Sequence, residues 1–318
     1  MLEFITLHSS ILILLLAWFL DLALGDPTWL PHPVVGFGKA ISFGEHHLNK
    51  VQHRMLKGAI MTVMLILITF IATAVIRYFL YILPLPYGGG MGVRILFDVL
   101  IIFYCLAGTT LIREVRQVFL SLDESLEAGR RQVARIVGRD TSQLSAQEVR
   151  TAALETLAEN LSDGVIAPLF WLAVGGVPAM LTYKMINTLD SMIGYRTERY
   201  KSFGCWAARI DDIANFIPAR LTALLMVLVS DRWTLLTFVI RNGRKHASPN
   251  SGYPEAALAG ILNCRFGGPH IYFGEVVEKP YIGENDRMLT TQDMKKAVRI
   301  NRLAEVLAIV LVIARYCL

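Results

Sequence analysis

Between Ala59 and Leu83 the chain runs through apolar residues with a single charged side chain, Arg77, near one end where it can snorkel. Wound as a helix, a run of this length crosses the roughly 30 Å of hydrocarbon in a bilayer. It therefore reads as a membrane span, and the rest of the chain must obey the same solvent. Composition agrees: 54% of residues are hydrophobic, 18% are charged and mean hydropathy is +0.48, against roughly 25% charged in soluble domains. These values exclude a disordered tail, a collagen-like fibre and a small disulfide scaffold. The net charge of +5 lies in loops between apolar runs, which serves topology rather than nucleic-acid binding.

Further spans are expected at 4–24, 95–112 and 303–318, the last marginal in length. The first has no basic leader and no small-residue cleavage site before Gly25-Asp26-Pro27, so it reads as an uncleaved span. Two apolar stretches are less regular: 166–183 contains Pro168, Gly175, Gly176 and Pro178, and 217–230 contains Arg220. Both are expected to be broken, re-entrant or interfacial, which membrane depth tolerates only where protein or a water-filled cavity covers the backbone. Loop 84–94 holds only Arg94, whereas 25–58 holds four Lys/Arg, 113–165 seven, 184–216 five and 231–302 eleven. The Gly88–Gly92 turn should then face outward and the basic loops the cytoplasm.

The expected fold is mainly α: a polytopic integral membrane protein with cytoplasmic polar helices, in one membrane-embedded domain over 1–318. Segment 241–290, rich in Gly, Pro and Asn, reads as an ordered loop region. Four cysteines (Cys105, Cys205, Cys264, Cys317) form no CxxC and no pairing with histidine at ligand spacing, so neither a disulfide framework nor a zinc site is expected.

Three polar constellations carry chemistry. Glu155, Glu159 and Asp163 recur every fourth residue and fall within roughly 80° of one helical face. Like charges so spaced destabilise a helix; they suit a Mg²⁺ site, or else a solvated acidic face capped by Gly164. Lys184, Asn187 and Ser191 share a second face, with Asp190 beside Asn187. A cation, an amide, a hydroxyl and a carboxylate suit a phosphorylated ligand with its metal; the plain alternative is a snorkelling lysine above an ordinary polar face. Asp211, Asp212 and Asn215 form DDxxN between Arg209 and Arg220. The two arginines either neutralise phosphate or pair with the aspartates.

Around these lie weaker signals. Asp26 and His32, among Pro27, Pro31 and Pro33, are ligand contacts or turn and capping residues. His246, Ser248, Asn250 and Glu255 make a dense polar loop. Gly267-Gly268-Pro269 and Lys279-Pro280-Tyr281-Ile282-Gly283 can bring backbone amides to an anion. No GxxxxGK[ST] and no GxGxxG in a βαβ setting occurs, so any nucleotide site is neither P-loop nor Rossmann.

Taken in order, these motifs resemble the CbiB/CobD family. The residues that carry the likeness are Leu24-Gly25-Asp26-Pro27 with Pro31-His32-Pro33, Val137 to Thr141, Glu155 to Gly164, and Asn187 to Ser191 with Gly194-Tyr195. Ala208 to Asn215, His246 to Asn250 and Lys279 to Gly283 complete it. The resemblance implies an adenosylcobinamide-phosphate synthase of cobalamin biosynthesis. Such an enzyme of the inner membrane, its active site facing the cytoplasm, amidates a propionate of adenosylcobyric acid with aminopropanol phosphate or a close analogue. It also implies ATP, Mg²⁺, the lipid bilayer and other late-pathway membrane enzymes as partners. On that basis Glu155, Glu159, Asp163, Asp211 and Asp212 are expected to hold Mg²⁺ and triphosphate. Lys184, Arg139, Arg209 and Lys279 would stabilise phosphoryl groups, and either His246 or Asp190 would deprotonate the ammonium. Asp26, His32, Asn187, Ser191, Asn215, Ser248 and Asn250 complete the expected binding set. Two rivals stand beside this reading: a Mg-dependent membrane prenyltransferase, from DDxxN plus a second acidic motif, and a family-related membrane sensor without catalysis.

Overall fold

The computed structural model describes residues 2–27, 29–82, 89–272, 275–277 and 280–317. Helices α1 (Leu2–Leu24), α2 (Pro33–Leu48), α3 (Arg54–Ile82), α4 (Gly89–Cys105), α5 (Gly108–Glu124), α6 (Leu126–Val133) and α7 (Ala146–Leu161) follow one another. A π-helical turn, Ser162–Ile166, leads from α7 into α8 (Ala167–Ile193). Then come α9 (Cys205–Ala214), α10 (Phe216–Val229), α11 (Leu235–Gly243) and α12 (Gly252–Leu262). A short antiparallel hairpin, β1 (His270–Tyr272) and β2 (Glu275–Val277), sets His270 opposite Val277 and precedes α13 (Thr291–Cys317). The fold is mainly helical, as expected.

Three helical runs, Arg54–Ile82, Met91–Glu124 and Ala146–Ile193, are long and apolar enough to cross a membrane; Cys205–Ala214 and Phe216–Val229 make a fourth if taken together. The 4–24 segment is helix throughout, with Ser9–Leu24 its apolar described part. The expected span at 303–318 is not among these runs, because Arg302, Glu305 and Arg315 interrupt the end of α13. The expected irregularity at 166–183 is a break at Gly175 (φ −139°, ψ 18°) and Gly176 (φ 67°, ψ −164°) inside α8, the second a backbone that only glycine adopts readily. At 217–230 α10 itself is regular, since Pro218 lies in its first turn, where a missing N–H costs no helical bond; the expected irregularity is the bend between Cys205–Ala214 and Phe216–Val229, a broken span or a re-entrant loop. Within 241–290, read as loop, α12 is a helix buried at every position but Tyr253; a helix buried nearly all round shows no amphipathic period.

The helices group into two compact units, one from residues 1–107, 167–214 and 310–318, the other from 108–166 and 215–309. The sequence reads as one domain because no linker marks these boundaries; one falls where the π turn runs unbroken into α8.

In the first unit, α3 packs on α8, α4 and α9, α2 packs on α8, and α1 packs on α4. Ile41, Met61, Met185, Leu189, Ile193, Phe203 and Ala207 form a core there. Close approach requires glycine: a Cβ on Gly58 would stand 1.9 Å from the Phe203 carbonyl oxygen. The other face of α3 exposes Ile60, Val63, Met64, Leu67, Ile68 and Ile71. Water would penalise so continuous an apolar surface, and lipid would not. Asp98 on α4, nearly fully buried, takes two bonds from Arg77 on α3 at 2.7 and 2.9 Å. Pairing is what such a charge needs at membrane depth.

In the second unit, α5 packs on α6 and α7, and α12 is surrounded by α7, α10 and α11. The N-terminus of α7 carries a capping box, Ser145 with Glu148, which satisfies two otherwise orphaned N–H groups.

Candidate functional site

Two polar regions result, one per unit. In the second unit, one face of α7 presents Ala152, Glu155, Thr156, Glu159 and Asn160 to a cavity of about 130 Å³. The 136–139 loop, His246 and Glu255 close it. Arg139 is buried beside the cavity, its side chain 4% exposed, and its Nη2 donates to Glu155 Oε2 at 3.0 Å. The Arg139 Nε makes no hydrogen bond, so one guanidinium retains donors beyond those Glu155 uses. Glu155 Oε1 accepts the Gly267 backbone N–H at 2.6 Å. The glycine loop therefore does bring an amide to an anion, and the anion is the protein's own. Gly267 has φ 79°, and a Cβ there would meet the Pro280 carbonyl oxygen at 2.4 Å.

Glu159 Oε1 accepts the Ser251 hydroxyl at 2.9 Å. Asp163, expected on the same face, does not line the cavity. The π turn that begins at Ser162 changes the residues per turn, so the four-residue spacing loses its meaning there. Nor does Gly164 cap a helix end, because the chain continues into α8.

Loop 246–251 is ordered by its own side chains. Ser248 N–H donates to His246 Nδ1 at 3.0 Å, and Ser248 Oγ accepts the N–H groups of Asn250 and Ser251. His246 Nε2 lies 3.9 Å from Glu255 Oε1 on the first turn of α12. Arg220 is held by neighbours of its own unit. It lies over the rings of Phe216 and Tyr253, 3.6 and 4.2 Å from their centroids, and donates to Asn250 Oδ1 and to the carbonyls of Phe216 and Pro249. Ser248 and Asn250 thus hold the loop. Lys279 lies outside the described residues.

In the first unit, His32 caps α2: its Nδ1 accepts the Val34 N–H at 3.1 Å. Its Nε2 lies 3.8 Å from Asp26 Oδ1, and its ring meets Tyr104 edge-on at 5.0 Å. Burial holds the His32 imidazole below its ordinary value; the Asp26 carboxylate opposes this and the Lys184 charge adds to it. Asp26, His32 and Lys184 are therefore one electrostatic neighbourhood. Farther along α8, Ser191 is exposed and bonds the Thr188 carbonyl of its own helix. Asn187 is half-buried, and the Asp190 carboxylate occupies the space that a Cβ on Gly194 would need, 2.0 Å away. On α9, Asp211 is buried and Asp212 partly so, while Arg209 is exposed beside the Trp206 ring. Asn215, buried, precedes α10 and makes no side-chain cap bond to it.

Among the described residues, no three His, Cys, Asp or Glu side chains gather into a metal-binding group. In the second unit Glu155 is already paired with the Arg139 guanidinium and accepts the Gly267 N–H. In the first, Asp211 and Asp212 are adjacent on one helix and diverge by about 100°. A second cavity of about 480 Å³, lined among others by Leu235, Phe238, Cys264 and Asn285, includes none of the expected site residues; burial pushes the Cys264 thiol up to about 12. Sequence reasoning treated Glu255 only as part of a polar loop and missed Arg287. The latter bonds Asp293 twice and the carbonyls of Leu262, Asn263 and Met288. Two of its four partners, Leu262 and Asn263, lie 25 and 24 positions back in the chain, which no local pattern marks.

Comparison with known proteins now bears on these regions. A family profile described as CobD/Cbib protein matches residues 14–301. The cobalamin biosynthesis protein CobD of Geobacter metallireducens is 43% identical over 310 residues, 94% of this chain and of its own. CbiB of Salmonella arizonae is 39% identical over 319 residues, 97% of this chain and 98% of its own. CobD of Klebsiella pneumoniae is 40% identical over 314 residues, 95% and 96% respectively. No solved structure matches.

Proposed function

The chain belongs to the CobD/CbiB family, whose curated relatives are named for cobalamin biosynthesis, and from that premise we propose that it is an ATP-dependent amide-forming ligase. Its substrates are a propionate carboxylate of adenosylcobyric acid and aminopropanol phosphate or a close analogue, and its product is adenosylcobinamide phosphate. The reaction takes place at the cytoplasmic face of the inner membrane. The observation that carries the reading is the cavity of about 130 Å³ beside Arg139. Its volume is that of about four waters at ~30 Å³ each, far below what a corrin or a whole nucleotide needs and suited to a small amino-alcohol phosphate. Arg139, with donors left over from Glu155, suits the phosphate end. Glu159, Glu255 and the Asn160 amide suit the ammonium end.

A carboxylate resists amines until it is activated, and transfer of a phosphoryl group from ATP supplies an acyl phosphate. Magnesium enters as part of the nucleotide substrate, drawing its ligands from phosphates, water and one or two carboxylates. Because Asp211 and Asp212 diverge along their helix, one of the two suits this as a single carboxylate ligand. Lys184 and Arg209 are the cations of that same unit. The rival prenyltransferase reading loses its footing, because it rested on two acidic motifs while the likeness to the family runs along nearly the whole chain; the family-related sensor is separated from the ligase by product formation.

The test is mass spectrometry of the product formed by the purified protein in detergent from adenosylcobyric acid, aminopropanol phosphate and MgATP. The amide mass with equimolar ADP is expected. Turnover without ATP, or none with all three substrates, ends the reading.

A further inference from the structure

We propose that Glu155 is a positioning residue that aims the buried Arg139 at a phosphate monoester, rather than a metal ligand. The ligand's identity rests on the ligase reading above, in which it is the phosphate end of the amine; the anion site itself does not. Both Glu155 oxygens are held by protein donors: Oε2 by Arg139 Nη2 at 3.0 Å and Oε1 by the Gly267 backbone N–H at 2.6 Å. A carboxylate fastened at both ends cannot turn, and so it fixes the guanidinium bonded to it.

Two other arginines show what is unusual here. Arg77 bonds both oxygens of Asp98 through Nε and Nη2, and Arg199 grips Glu45 in the same way. In each pair one carboxylate fills one edge of the guanidinium. Arg139 gives Glu155 a single bond, and its Nε, shut away from water, has no partner. The cause is Gly267, whose N–H takes the second oxygen. Only glycine can stand there, with φ 79° and the Pro280 carbonyl oxygen 2.4 Å from where a Cβ would be.

The remaining donors belong to the cavity. Arg139 lines it with a side chain only 4% exposed, and it is the one lysine or arginine among the described lining residues. A guanidinium carries five N–H groups in a planar fork, of which Glu155 uses one. Buried N–H groups without acceptors cost stability, and the oxygens of a phosphate monoester match the fork in pairs. Because the Glu155 charge offsets that of Arg139, recognition depends on where these N–H groups point. The brace from Gly267 through Glu155 sets that direction.

The experiment uses the full-length protein in detergent with adenosylcobyric acid and MgATP. It compares two nucleophiles, aminopropanol phosphate and hydroxylamine, of which the second has no phosphate. Glu155→Gln sets an amide NH₂ against one of the two donors, and Gly267→Ala shifts the loop while leaving every charge in place. Each variant should lower kcat/KM for aminopropanol phosphate about 10- to 10²-fold more than for hydroxylamine, chiefly through KM, as a displaced binding group does. Raising Mg²⁺ should recover none of that loss. Apart from turnover, inorganic phosphate at fixed ionic strength should raise the Tm of the wild type, and that of each variant less. Recovery by Mg²⁺ would make Glu155 a metal ligand, and equal losses for both nucleophiles would make it structural. A larger phosphate-induced rise in Glu155→Gln than in the wild type would make Glu155 an occupant of the anion site rather than its brace. Any of these overturns the assignment, as do wild-type kinetics in either variant or a wild type that phosphate does not stabilise. A wild type that phosphate stabilises but that forms neither amide nor hydroxamate removes the ligase reading, and the Tm shifts of the variants then decide the anion site alone.

Discussion

The two polar regions hold their charges by different means. In the second unit the cavity residues are hydrogen-bonded into place: Arg139 to Glu155, Glu155 to Gly267, Ser251 to Glu159, and Ser248 to His246. In the first unit, Asp26, His32 and Lys184 affect one another through space, at 3.8 Å for the His32–Asp26 pair. A bonded network in a low-dielectric setting fixes geometry and makes each deletion costly. Partly exposed charges drawn from a turn, a helix cap and α8 leave room to rearrange around a ligand. The first arrangement suits a small substrate held in one pose, and the second suits a large or multiply charged one.

The sharpest way to break this contrast is a matched pair of substitutions. Arg139→Gln leaves the buried Glu155 carboxylate without its cation and should cost about 3 kcal/mol of stability, with amide formation falling at least ~10²-fold. Lys184→Gln, on a half-buried position of α8, should cost less than about 1 kcal/mol. Denaturation in detergent reads both, and equal losses would erase the distinction.

Acid titration extends the test within the second unit. Burial pushes the Asp293 carboxyl up, but the bonds from Arg287 and Thr290 outweigh it and hold the group below its ordinary value. A carboxyl whose folded value lies below its unfolded one stabilises fully above the unfolded value. That stabilisation disappears as pH falls through the folded one. Asp293→Asn should therefore cost about 2 kcal/mol at neutral pH and flatten the acid limb of the stability profile. An unchanged limb would mean that the Arg287 network contributes nothing.

The corresponding test in the first unit is smaller. His32 caps α2 only while Nδ1 is unprotonated, and its folded value lies below the ordinary one. The cap contributes fully above the unfolded value and is lost as pH falls through the lowered folded value. His32→Ala should cost about 1 kcal/mol, and His32→Asn should retain most of the cap while losing the pH dependence. Equal thermal stability of Ala and Asn variants would assign the effect to packing on Tyr104. Smallest of all is Ser191→Ala. Its hydroxyl bonds its own helix on an exposed turn, so stability should stay within about 0.5 kcal/mol and turnover near wild type. A large fall in turnover would make the exposed face of α8 a ligand surface after all.

Much of this was legible beforehand. The span at 59–83 appears as α3 extending from Arg54 to Ile82, and a run of apolar residues needs no partner to declare itself. The break at Gly175–Gly176 was legible because glycine and proline act on the backbone locally. Arg139, Glu155, Glu159 and His246 were singled out as site residues and meet in one cavity. The place of Glu255 in that cavity was not legible, because its helix is buried on nearly every side and shows no period. The four-residue spacing does not carry Asp163 to that cavity, because a π turn interrupts the helix before it.

By itself the sequence determined the helical class, the apolar runs and which residue types were available for chemistry, since hydropathy and backbone preference act over a few neighbouring residues. Only the tertiary structure decided what those residues do. It gave Glu155 to Arg139 and Gly267, Arg220 to Asn250 and two aromatic rings, and the His246 lone pair to Ser248. A hydrogen bond depends on ångström-scale separation and direction, and most of these partners lie sixteen to more than a hundred positions apart in the chain. No local pattern records that separation.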